Sequence, residues 1–553
     1  MARFARLARL QSGRLARIDR PAYAQRVVFV EQAEPAARKQ SGSDKSSRRP
    51  PHSSSGHDDD AKGGWKSRLL EGGATAFGSV VVLGLIGYSY EMYYKWLVLQ
   101  KMDKAFDEGY STPELAALTR HTYANLGRKV VILKDMEDDN WISRQEQGII
   151  DAIVDGTSQG QYHLITGEKG TGKTSMLLKA MRRIEGKGIA MLEAHGDLEV
   201  FRLRLGKALN YDFHEDYIGS LFSFKGPRDA TPLLDIERAF NKMEKIALRR
   251  RQLTGKPLLL IINRAHLLRD DDEGRHLLEA IQQRAELWAA SMLVTVVFIS
   301  DEYWIEERLR PHATRMRVLP VYDISRDTAV DAIKEFRARV FHEKVTTEAV
   351  EKVYARVGGR LRFISQVAKA VDMDRASRTI VEREKQWFLN QCWILGKEMD
   401  PEAEKQQDFC MAAMVLAKAL VAKEDEMKKD RTISPFALPE LPLHEARQIM
   451  TRFDFIQAHD HINIFSIDSN SKVRADSVAM QNVFREVVNQ EGFQELLDET
   501  QERLDELEAL GRTREITLKD LVGGGGYNAS VKEGSAKQAN MVISFRAAPD
   551  PDP

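Results

Sequence analysis

Gln161-Tyr162-His163-Leu164-Ile165-Thr166-Gly167-Glu168-Lys169-Gly170-Thr171-Gly172-Lys173-Thr174-Ser175-Met176-Leu177-Leu178-Lys179-Ala180 is the stretch that decides the fold of this chain. Its first six residues have strand character and its last six open a helix. Between them, Gly167 to Thr174 satisfies G-x-x-x-x-G-K-[ST] at every fixed position. Glycines let backbone N–H groups converge on phosphate oxygens, and the helix N-terminus adds its positive dipole end. A lysine at position 173 reaches β and γ phosphates, and a hydroxyl at 174 is offered to Mg²⁺. The expected ligand is a nucleoside triphosphate, ATP with Mg²⁺. Its expected contacts are Gly167, Glu168, Lys169, Gly170, Thr171, Gly172, Lys173, Thr174 and Ser175.

The neighbouring sequence reads as an α/β domain. Gly188 to Glu193 has strand character, and Leu234 to Arg250 has the spacing of a long amphipathic helix. Pro257 to Ile262 and Met292 to Ser300 are continuous apolar runs, as expected for strands buried on both faces of a parallel sheet. Strands alternating with helices imply a doubly wound sheet.

With these motifs the chain resembles the AAA+ and STAND-type P-loop ATPases. Trp141-Ile142-Ser143-Arg144-Gln145-Glu146 resembles that family's entry box. The resemblance places Walker B at the strand ending at Ile262, sensor 1 at Ser300, and the start of the lid helix carrying sensor 2 at Val357-Gly358-Gly359-Arg360-Leu361. It implies catalytic roles for Lys173, Ser300 and Arg360, and a metal site at Thr174 and Asn263. It also implies an ATPase core over residues 139–322 and a helical lid over 323–390. In layout the chain resembles fungal mitochondrial membrane-anchored AAA-type proteins with a C-terminal winged helix.

The pattern breaks at Walker B, which in the family ends in Asp-Glu. Here Asn263 and Arg264 follow Ile262. Asn can hydrogen-bond a metal-bound water but lacks the charge, and Arg cannot act as a base. Loss of the water-orienting carboxylate should slow phosphoryl transfer severely. Whether ATP is hydrolysed is therefore open. The run Asp270-Asp271-Asp272-Glu273 is a candidate substitute but reads as a solvated loop. Arg315 and Arg317 are candidate arginine fingers in a homo-oligomer. His163, His195 and His266 show no ligand spacing and read as structural.

Outside the core, composition carries the argument. Residues 1–30 hold arginines at 3, 6, 9, 14, 17, 20 and 26 with Asp19 as their only acid. Those from Arg3 to Arg20 fall within an arc of roughly 140° on a helix, the pattern of a mitochondrial transit peptide. Residues 31–71 read as a disordered linker of Ser, Asp, His and Pro. Gly72 to Tyr90 carries no charge over 19 residues and would span about 28 Å as a helix. Residues 72–98 are therefore expected to form a single membrane anchor, in the mitochondrial inner membrane, followed by a helical connector over 99–138. Basic and acidic residues balance at 82 each, so global charge does not argue for nucleic acid. Two cysteines, Cys392 and Cys410, are too few for a disulfide framework.

Residues 391–495 suggest a winged helix: a helix over Leu443 to Phe453, two strands within Asp454 to Ile467, and a helix over Val478 to Val488. Its candidate recognition helix offers only Arg447 and Arg452, which favours packing against protein over nucleic acid. Residues 496–553 read as an acidic helix and a disordered tail from Gly523. The expected role is a nucleotide-dependent switch or remodeller of a protein partner. The alternative is a membrane tether for mitochondrial nucleic acid.

Overall fold

The computed structural model describes residues 64–107, 141–213, 231–398, 400–429, 437–521, 526–533 and 537–544, with side chains from Phe77 to Ala509. The expected transit peptide, most of the expected linker and residues 108–138 of the expected connector lie outside these residues. By contacts the chain divides into Met1–Ser79 and Val80–Pro553. The first unit contributes only the start of helix α1 (Gly64–Lys104), so residues 64–71, expected as linker, are helical. Among the described residues no helix is long and apolar enough to cross a membrane.

The second unit is built on one parallel sheet. Helix α2 (Glu146–Val154) leads to strand β1 (Tyr162–Thr166), helix α3 (Lys173–Arg183), β2 (Ile189–Glu193) and α4 (Leu198–Ala208). Helix α5 (Pro232–Thr254), β3 (Leu258–Asn263), α6 (Asp272–Ser291), β4 (Val294–Ile299), α7 (Trp304–Leu309) and β5 (Met316–Pro320) follow. The strands run in the order β2-β3-β4-β1-β5, all parallel. Every residue of β1, β3 and β4 is buried, as continuous apolar runs require. Alternate residues serve opposite faces. Leu164, Leu260, Ile262, Val296 and Phe298 pack on the α4–α5–α6 side, and Ile165, Leu259, Ile261, Val297 and Ile299 on the α2–α3 side. The expected four strands are present. β5 is a fifth, with Arg317 inside it and Arg315 just before it, at the end of the sheet away from the phosphate loop.

The lid consists of α8 (Arg326–Val340), α9 (Thr347–Val357), α10 (Leu361–Lys369) and α11 (Met373–Cys392) around their own core. Ser325 and Thr346 cap α8 and α9 by accepting from Thr328 and Ala349 N–H groups.

The C-terminal module contains α12 (Glu404–Lys429), β6 (Leu441–Pro442), α13 (Leu443–Ile449), α14 (Phe455–His461), β7 (Phe465–Ile467), β8 (Lys472–Ala475), α15 (Val478–Val488) and α16 (Phe493–Leu521). Two expectations are corrected here. The first expected wing strand is helix α14, because Phe455, Ile456, His459 and Asp460 are buried at helical spacing. The wing is instead β7 and β8, joined by a turn and completed by β6 into a three-stranded sheet. The helix in the recognition position, just before the wing, is therefore α14 and not α13. The tail expected to be disordered forms an antiparallel hairpin, β9 (Gly526–Glu533) and β10 (Lys537–Ser544). Its sequence alternates about Tyr527, Ala529, Val531 and Ala539, Met541, Ile543, which suits a strand pair.

Candidate functional site

The phosphate loop leaves β1 at the carboxyl end of the sheet, where ligands of open α/β sheets bind. Three of its glycines have left-handed φ: 144° at Gly167, 90° at Gly170 and 100° at Gly172, the N-cap of α3. A Cβ on Gly167 would lie 2.3 Å from the Val321 carbonyl oxygen, so only glycine closes the loop against the segment that follows β5. Arg144 of the entry box donates to the carbonyls of Thr171 and Tyr322, tying the loop to the segment after β5.

The Lys173 ammonium is buried. It donates to the carbonyls of Gly167 at 2.7 Å and Glu168 at 2.9 Å, and it pairs with Asp301 at 2.7 Å. The Thr174 hydroxyl donates to Asn263 Oδ1 at 3.3 Å, so the two expected metal ligands are brought together. Both are neutral oxygens, which suits a Mg²⁺ ion held mainly by phosphate oxygens and water. No cluster of three or more His, Cys, Asp or Glu suited to a metal occurs among the described residues. Beside the loop, a cavity of about 820 Å³ runs between the entry box, Ser175 and the lid. Trp141, Ile142, Met176, Phe336 and Leu361 line it, an apolar setting of the size that takes a base and ribose. Glycine cradle, buried amine and cavity together fit ATP, and the Thr174–Asn263 pair fits its Mg²⁺.

The remaining expected site residues have other partners. The Ser300 hydroxyl is used within its own turn, donating to the Glu302 carbonyl at 2.7 Å and accepting from the Glu302 N–H at 3.1 Å. Asp301, which sequence reading passed over, touches the lysine instead. His266 lies in the same place: its Nδ1 accepts from the Asp301 N–H at 3.2 Å, and burial lowers its pKa to about 4, keeping it neutral. Arg264 has left-handed φ and points to Glu193 at 2.8 Å. The acidic run after it is occupied locally: Asp270 pairs with Arg275 and Arg308, and Asp271 caps α6. Asp197 N–H donates to His195 Nδ1, and buried His163 lies 3.4 Å from the Ser158 hydroxyl. Cys392 and Cys410 are buried free thiols.

Arg360 sits at the start of the lid helix α10, fully enclosed. It donates to the Lys169 carbonyl at 3.0 Å, pairs with Asp323 at 2.7 Å and with Asp476 at 3.1 Å, and donates to the Asp476 carbonyl. Asp476 belongs to the winged helix, between β8 and α15. A second link runs from the same module to the loop. Arg474 of β8 pairs with the Glu168 carboxylate, and the Ser466 hydroxyl of β7 donates to it at 3.3 Å. Burial pushes the Glu168 carboxyl up, but the Arg474 and Arg360 guanidiniums outweigh it and hold it below its ordinary value. Burial likewise pushes Asp476 up, to about 6, with Arg360 opposing. Loop, lid and wing thus share one buried charge network.

Helix α14 faces the same way. The Tyr303 N–H donates to Asp460 at 3.0 Å, His461 lies 3.0 Å from Glu302, and Gln457 donates to Glu307. In this arrangement the recognition position packs on the ATPase core. The two arginines expected to be available on the candidate recognition helix are engaged: Arg447 pairs with Glu307 and stacks on Phe453, and Arg452 pairs with Asp454 and Asp408.

Comparison with known proteins agrees with both modules. Residues 140–296 match the AAA ATPase domain model, and residues 390–508 match that of the fungal AAA protein C-terminal winged helix domain. Solved structures similar to this chain include a Walker-type ATPase of Pyrococcus abyssi, 13% identical with a TM-score of 0.41, covering 63% of this chain and 97% of that one. They also include the ORC1 protein of Aeropyrum pernix in complex with DNA, 13% identical with a TM-score of 0.32, covering 63% and 94%. A third is AMPPCP-bound DnaA from Aquifex aeolicus, 13% identical with a TM-score of 0.28, covering 59% and 90%. No curated protein matches the chain.

Proposed function

We propose, for a chain whose residues 140–296 match the AAA ATPase domain and whose residues 390–508 match the winged helix domain of fungal AAA proteins, that ATP binding works as a switch on that winged helix. The observation that carries this reading is the pair of links Glu168–Arg474 and Lys169–Arg360–Asp476. Both start on the two variable residues of the phosphate loop next to Gly167. Triphosphate entering the loop draws Lys173 from Asp301 and places negative charge beside Glu168. That charge weakens the hold of Glu168 on Arg474 and changes how β7 and β8 sit. A protein partner then reads the wing. Binding energy spent on one state over the other is what moves such an equilibrium.

The switch is anchored at the mitochondrial inner membrane in this reading. The Arg-rich residues 1–30 support the address, and the uncharged run Gly72–Tyr90 with the exposed apolar side chains of α1 supports attachment to the membrane, although α1 is not long and apolar enough to span it. Phe77, Val80, Val81, Val82, Leu83, Leu85, Ile86, Tyr88 and Trp96 are all exposed along α1, a band too apolar to leave in water. The same helix ends with Val98 and Met102 in the ATPase core, Phe106 just beyond it joins them, and Arg250 grips this end through Asp103 and the Phe106 carbonyl. Carbonate washing of mitochondria should leave the full chain in the membrane, and its release would refute the anchor.

Reciprocal linkage tests the switch. In the full chain, Arg474→Ala should change ATP affinity about 5-fold or more, because coupled sites differ by about that factor at minimum. Lys173→Ala should abolish binding. Unchanged affinity in Arg474→Ala would separate wing from nucleotide and end the proposal.

A further inference from the structure

Asn263 and Arg264 leave the Walker B positions without a carboxylate, yet one stands nearby. The geometry points to Asp301 as the catalytic carboxylate that replaces them, accepting the proton of the water that attacks the γ-phosphorus. This rests on the ATP-binding reading above and adds hydrolysis to it.

Position carries the argument. Asp301 follows the carboxyl end of β4, and β4 lies directly beside β1, the strand that delivers the phosphate loop. The Ser300 N–H donates to the Ile165 carbonyl at 3.0 Å, so the two strand ends are held together. The Asp301 carboxylate is 2.7 Å from the Lys173 ammonium, the group that meets the γ-phosphate. Once triphosphate draws the lysine away, the Asp301 carboxylate is left facing the loop that receives the phosphates. Its backbone is fixed by the N–H donated to His266, which rides on the turn after Asn263. Asp301, after β4, thus reaches Lys173, and Asn263, at the end of β3, accepts from the adjacent Thr174.

The competing carboxylates are placed less well. Glu193 ends β2, which the strand order separates from β1 by β3 and β4. At ~4.8 Å per strand that is about 14 Å from β1. Its oxygens are also engaged, by Arg264 at 2.8 Å and Arg204 at 3.7 Å. Asp270 and Asp271 are taken by Arg275, Arg308 and the α6 cap.

In the step proposed, water oxygen bonds to the γ-phosphorus and the bond from that phosphorus to the β–γ bridging oxygen breaks. ADP leaves with the electron pair. The proton of the water passes to Asp301 and from there to the inorganic phosphate as it departs. Asn263 and Thr174 are the residues that would hold Mg²⁺, and Lys173, released from its ion pair, faces the phosphate charge.

The test compares full-length wild type with Asp301→Asn, Glu193→Gln and Lys173→Ala, measuring both ATP affinity and phosphate release. Asp301→Asn should lose about 10²-fold in turnover, as removal of a positioned proton acceptor does. Its ATP affinity should equal or exceed wild type, since the lysine no longer has a competing anion. Glu193→Gln should keep wild-type turnover, and Lys173→Ala should lose binding. Wild-type turnover in Asp301→Asn overturns the proposal. So does loss of ATP binding in that variant, which would make the residue structural. Wild-type protein that binds ATP without turnover above the Lys173→Ala background overturns the carboxylate role alone, whereas failure to bind ATP at all overturns the binding reading with it.

Discussion

At the scale of single residues, the site depends on where a side chain can and cannot go. Gly167 has a φ of 144° and a carbonyl oxygen 2.3 Å from where its Cβ would be. Gly167→Ala should therefore cost about 1–3 kcal/mol through strain at the loop and abolish ATP binding, seen as a lowered Tm that ATP no longer raises. Asp476 gives a pH signature. Its folded value is about 6 against an ordinary 3.8, so between those values the folded protein holds a proton that the unfolded chain has released. Its contribution to stability therefore increases as pH falls from 6 toward 4. Asp476→Asn removes that dependence, so the Tm of wild type relative to the variant should rise between about pH 7 and pH 5. A difference flat in pH would mean that the carboxyl is not held in this way. The phosphate loop was legible in the sequence because its chemistry is local: strand, glycines, lysine and helix are contiguous. Asp301 was not legible. Nothing in Ile299-Ser300-Asp301 says which of two polar residues faces the lysine, since that depends on a turn in which the Ser300 hydroxyl binds its own backbone.

At the scale of elements, buried strands and amphipathic helices announced themselves and edge pieces did not. β3 and β4 are uninterrupted apolar runs, and every residue in them is buried. β5 reads Met-Arg-Val-Leu-Pro and sits at the sheet edge, with only one of its five residues buried, so its composition is too mixed to signal a strand. The sequence of helix α14 resembles a strand because Phe455 to His461 is short and half polar. Only its packing, with Phe455 against Phe409 and His459 stacked on the same ring, shows the helical period. The α5–α6 pair holds the outer face of the sheet through Trp288, fully buried and edge-on to Phe240 at 5.4 Å. Trp288→Ala should destabilise the ATPase domain by about 3–5 kcal/mol, visible in the denaturant midpoint. A loss below 1 kcal/mol would mean that the two helices do not depend on this contact.

At the scale of the whole molecule, the account is one of coupling. Arg474 and Glu168 are 306 residues apart in sequence, and Arg360 joins residues from the loop, the segment after β5 and the wing. No pattern in a single sequence marks such a network, because each charge alone looks like an ordinary surface residue. Enclosing several charges at once is costly unless they are paired. One more anion in the loop therefore has leverage over the wing, which a surface ion pair would lack. The most direct measurement is hydrogen–deuterium exchange over residues 465–476 of the full chain, with and without Mg-ATP, beside Lys173→Ala. The account predicts that Mg-ATP changes amide exchange in β7 and β8 of wild type and leaves Lys173→Ala unaffected. Saturating ATP binding by wild type with the wing's exchange unaltered would contradict it.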